Sequence, residues 1–103
     1  CLGGPNFTHI VINNSVHDSV GGQPTLGFEV SFTEIAKGCK YKNVIGPIFR
    51  ESDISKISNL ISKSIGPNFV EVRVKPGAKS NLMRPLELPI INKIDFQKNL
   101  NKD

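Results

Sequence analysis

Four residues of this chain have the types and placement to act together on a substrate: His9, Glu29, Glu71 and Arg73. Glu29, Glu71 and Arg73 occupy polar positions in stretches whose apolar residues recur at every second place, and His9 lies in the predicted first strand, so the four could converge on the outward face of the sheet. A glutamate or histidine there can take a proton, a second group can return it, and an arginine can hold negative charge on a phosphate. Those three roles are what phosphodiester cleavage through a neighbouring hydroxyl requires. His17 lies in the loop 13–25 and supplies the acid only if that loop folds back over the sheet. The competing reading of the same four residues is an ordinary solvated sheet face with cross-strand ion pairs, and it ranks above catalysis.

Other chemistry has less to stand on. Two histidines and two cysteines without ligand spacing give no metal site. No Gly-x-Ser-x-Gly elbow is present. The Gly21-Gly22 pair precedes a predicted strand and lacks a following Lys-Ser/Thr, so it is no phosphate cradle. No cofactor and no metal are expected on these grounds. In residue types alone, the His, Glu and Arg set is similar to that of small secreted ribonucleases, without a shared motif.

The elements that would position these residues follow from periodicity. Strict alternation over residues 26–33 puts Leu26, Phe28, Val30 and Phe32 on one side, and Val70, Val72 and Val74 repeat the pattern over residues 70–75. Residues 7–12 predict a first strand and residues 41–49 a short one broken at Gly46-Pro47. Residues 86–90 predict an edge strand because Pro89 has no amide hydrogen to donate. One amphipathic helix is predicted over residues 51–65, with Ile54, Ile57, Leu60, Ile61 and Ile65 on one stripe. Ser52 is its expected N-cap, and Gly66-Pro67 its stop. One helix against several one-sided strands predicts an α+β fold, a small antiparallel β-sheet packed on one helix in the order β-β-(β)-α-β-β. Residues 1–97 read as a single domain and residues 98–103 as a polar tail. The stretch 52–91 is similar in architecture, without a diagnostic motif, to some small serine-protease inhibitors.

The ends and the sequons suggest a compartment. The chain starts at Cys1 rather than Met and carries Asn-X-Ser/Thr triplets at Asn6 and Asn13, the pattern of a secreted glycoprotein whose signal peptide has been removed. A Cys1–Cys39 disulfide would then stabilise the fold by roughly 4 kcal/mol on the chain-entropy model. Thirteen Lys and Arg against nine Asp and Glu give a net charge of +4, which admits an anionic glycan or nucleic acid without demanding one. No apolar run is long enough to span a membrane. The loop 76–85 is bracketed by prolines and combines Lys79, Leu82, Met83 and Arg84, apolar anchors beside charge. The expectation is therefore a secreted binding protein, an effector or toxin-like molecule that contacts another protein through this loop. An inhibitor, a ribonuclease and a structural subunit are the alternatives.

Overall fold

The computed structural model describes residues 4–83 and 85–100. Thr8–Asn13 form the first strand, β1, and Asn68–Arg73 form the central strand, β5, beside it. The register runs from Thr8 opposite Asn68 to Asn13 opposite Arg73, and the two strands are parallel. On the other side of β5 lies β4, Asn43–Ile48, also parallel, with an irregularity between Ile45 and Ile48. The sheet order is β1-β5-β4, and a separate two-residue antiparallel pair joins β2, Val16–His17, to β3, Gln23–Pro24.

The main sheet is thus parallel, which corrects the expected antiparallel α+β fold. Parallel neighbours cannot be joined by a tight turn. The connection from β4 to β5 carries the helix α2, Ile54–Lys63, as a crossover. That helix lies where its apolar stripe predicts. A 3-10 turn, Glu51–Asp53, precedes it, and Ser52 falls inside this turn rather than at the cap. Asp53 pairs with Lys56 at 2.8 Å, and that contact holds its carboxyl below the ordinary carboxylate value.

Two predicted strands are not strands. Residues 26–33 form a 3-10 turn, Leu26–Phe28, and the start of helix α1, Phe32–Gly38. The reason is local side-chain capping. Thr25 accepts from the Gly27 amide, and the Ser31 hydroxyl accepts from the Glu34 amide, so both turns are closed by hydrogen bonds that an extended strand would forgo. Residues 86–90 lead instead into α3, Pro89–Leu100, with Pro89 at the first helical position, where a missing amide hydrogen costs nothing. This helix runs through the junction between residues 97 and 98.

Helical structure on both sides changes what alternation means along β5. Ile54 of α2 lines a cleft with Val72, Arg73 and Val74 at the carboxyl end of β5. Gly27, Phe28 and Tyr41, from the segment around α1, contact the odd-numbered side through Asn13, Arg73 and Phe69. The first four residues of β5 are consequently all buried, and Phe69, Val70, Ile48 and Ala36 form the core. The expected disulfide is also corrected. Cys39 is exposed with a free thiol, Cys1 lies outside the described residues, and no disulfide is present among the described residues.

Candidate functional site

In parallel sheets, loops at the carboxyl ends of the strands gather where the chain reverses its direction of winding, and ligand sites form there. Here β1 ends at Asn13 and β5 at Arg73, side by side. The Asn13 side chain turns inward. Its Nδ2 donates to the Gly27 carbonyl at 2.6 Å and to Glu71 Oε1 at 3.0 Å, while its Oδ1 accepts from the Ser15 amide at 3.1 Å. That last bond is an Asx turn, and Ser15 beyond it takes a positive φ of 58°.

Glu71 is the least expected member of the group. It is only 1% exposed, and its Oε1 accepts from both Asn13 and Arg73 Nε, the latter at 2.9 Å. Its Oε2 is buried and has no partner among the described residues. The Arg73 guanidinium lies 4.9 Å from the Phe28 ring centre and 5.5 Å from that of Phe49, so the cation rests against two aromatic rings while it pairs with Glu71.

The rim of the site is built by the next residues. Asn14 Oδ1 accepts from the Val16 amide, and Asn14 Nδ2 donates to Asp18 Oδ2 at 2.7 Å. The same Asp18 oxygen accepts from the Gly77 amide at 3.0 Å. One carboxylate oxygen therefore joins the loop after β1 to the loop after β5. Gly21 and Gly22, with φ of 112° and 73°, turn the β2–β3 hairpin, and His17 stands exposed at its start. Asparagine amides, a carboxylate and glycine amides give this edge fixed hydrogen-bonding groups around a buried ion pair.

Of the four residues singled out by type, the structure joins two. Glu71 and Arg73 pair directly, but on a covered face. His9 belongs to an aromatic cluster with Phe7, Tyr41 and Phe69, and its Nδ1 lies 3.1 Å from the Tyr41 hydroxyl. Glu29 is exposed after the 3-10 turn. Lys79, Leu82 and Met83 are exposed on the segment between β5 and α3, and Arg84 lies outside the described residues. In the sequence Asn13 and Asn14 stand out only as part of a sequon. The signal for their role was their place, two asparagines directly after an apolar strand. Asn13 is 7% exposed with both amide atoms bonded within the fold, whereas Asn6 is exposed. Among the described residues no cluster of three or more His, Cys, Asp or Glu could hold a metal, and no helix is long and apolar enough to cross a membrane.

No protein-family profile matches the chain. Two curated proteins resemble it. The phosphonopyruvate decarboxylase of Streptomyces viridochromogenes is 32% identical over 87 residues, 82% of this chain and 21% of that protein. The phosphonopyruvate decarboxylase of Streptomyces hygroscopicus is 30% identical over 84 residues, with the same coverage of 82% and 21%. The chain spans about a fifth of the length of the curated relatives it matches. This likeness overturns the expectation of a protein that acts by binding, because both relatives are enzymes and the match runs through most of the chain, and nothing in it supports secretion or glycosylation. The free Cys39 removes the expected disulfide as well.

Proposed function

We propose that this chain is part of an enzyme of the phosphonopyruvate decarboxylase type, one that releases the carboxyl group of a phosphonate-bearing 2-oxo acid as carbon dioxide. The similarity to two decarboxylases over 82% of the chain carries the reading. The parallel sheet, with loops converging at its carboxyl ends, supports it as a scaffold for small-molecule chemistry. Loss of carbon dioxide from a 2-oxo acid leaves an electron pair on the carbonyl carbon, and that pair needs an electron sink. The side chains at this edge are amides, carboxylates, hydroxyls and a guanidinium, and none is such a sink. What this chain contributes is position. Glu71 and Arg73 fix Asn13, Asn13 fixes the turn at Ser15, and Asp18 fixes the rim to Gly77.

The direct test is to incubate the protein, purified from its own cells, with phosphonopyruvate and measure carbon dioxide and the aldehyde formed when the carbonyl carbon takes up a proton. Equimolar release of the two is expected. Intact, folded protein that leaves phosphonopyruvate unchanged under conditions where a Streptomyces decarboxylase consumes it would remove this reading.

A further inference from the structure

The cleft at the carboxyl ends of β4 and β5 has all its walls within this chain. The end of β4 with the residues after it, the start of α2 and the end of β5 enclose about 200 Å³. Clefts for drug-sized molecules hold ~300–1,000 Å³, so this one suits a small ligand. Ile48, Phe49, Ile54 and Val72 give it apolar walls, and its three charged residues are Arg50, Glu51 and Arg73. Arg73 is held ready for an anion. Glu71 accepts from its Nε at 2.9 Å and its guanidinium rests against Phe28 and Phe49, while among the described residues neither Nη group has a hydrogen-bond partner. Such a fork can bond two oxygens of one oxyanion at once. Arg50 and Glu51 are exposed, so water screens the one carboxylate of the lining.

We infer that this cleft holds the phosphonate group of the substrate, with its oxygens on Arg50 and on Arg73, which Glu71 orients. The identity of the anion rests on the decarboxylase reading. That reaction removes the carboxyl group and leaves the phosphonate untouched, so the two ends of the substrate make opposite demands. A carboxylate departs as neutral carbon dioxide, and arginines placed on it would stabilise the ground state more than the transition state. The phosphonate keeps its charge throughout. Binding energy gathered there is present at every stage and can hold the reacting end in place. The cleft lies at the same end of the sheet as the Asn13 turn, since the parallel strands β1 and β5 end side by side at Asn13 and Arg73.

Phosphorus NMR titration of methylphosphonate tests this without turnover, on the protein purified from its own cells and on variants made in the same cells. Arg50→Ala, at an exposed position, and Arg73→Lys, which keeps the charge opposite Glu71 but loses the fork, should each weaken binding at least ~10-fold. Glu51→Gln should tighten it. Lys37→Ala, which removes a positive charge from α1, should leave it unchanged. No binding, or equal binding by the wild type and both arginine variants, would overturn the inference. So would acetate that displaces methylphosphonate at equal concentration, because the cleft would then be a carboxylate site. Kinetics separate the substrate from a free phosphate bound for another purpose. Arg50→Ala should raise KM for phosphonopyruvate at least ~10-fold, and by much more than it lowers kcat. An unchanged KM beside weakened methylphosphonate binding would overturn the assignment to substrate. Binding lost in the arginine variants without any decarboxylation by the wild type would count against the enzymatic reading alone, and decarboxylation indifferent to both arginines against this inference alone.

Discussion

At Glu71 a single side chain decides whether the end of the sheet is ordered. Its carboxylate is buried against Asn13 and Arg73, and deleting it strands a cation that is itself only one-fifth exposed. Glu71→Ala should therefore cost about 2–3 kcal/mol in urea unfolding, below the usual loss for breaking a fully buried pair because Arg73 keeps some water. Glu29→Ala, on an exposed site, should change stability by less than about 0.5 kcal/mol. Equal costs would mean that the buried pair is not formed. The sequence showed that Glu71 and Arg73 lie on one side of a strand, but gave that side to solvent. Alternation reports which residues share a face. It cannot report whether the other face is covered, and for a central parallel strand both are.

Helix α1 shows how one element can be hidden by a stronger pattern. Leu26, Phe28, Val30 and Phe32 alternate well enough to read as a strand, yet Ser31-Phe32-Thr33-Glu34 is the Ser-x-x-Glu signature of a helix start. The structure follows the cap, and the Ser31 hydroxyl accepts from the Glu34 amide. Ser31→Ala should destabilise the protein by about 1 kcal/mol, with lower helical content by circular dichroism, whereas an unchanged midpoint would show the cap to be idle. α2 and β1 were legible because a wide apolar stripe and an uninterrupted apolar run leave little competition. The strand–helix–strand order from residue 43 to residue 73 was legible too, and a helix between two strands is the mark of parallel pairing. The one-sided look of the valines in β5 led to the antiparallel reading instead.

For the molecule as a whole, sequons and a leading cysteine weighed more in the sequence than any motif did, and the parallel architecture was the signal they obscured. The residues chosen as a contact loop illustrate the difference. Leu82 and Met83 are 69% and 78% exposed, so replacing both with Ser should move the melting temperature by no more than a degree or two; a larger fall would mean that they pack inward. Asp18 has a consequence of another kind. Because one of its oxygens holds both Asn14 and Gly77, the two rim loops share a latch and should open together rather than independently. Limited proteolysis reads this directly. The Lys79–Ser80 bond lies two residues beyond Gly77, whereas Lys75 is shielded from trypsin by Pro76. In Asp18→Ala, loss of roughly 1–2 kcal/mol of local hydrogen bonding should speed tryptic cleavage after Lys79 about tenfold, with the global melting temperature little changed. A latch 59 residues away in sequence would then set how long the rim survives a protease.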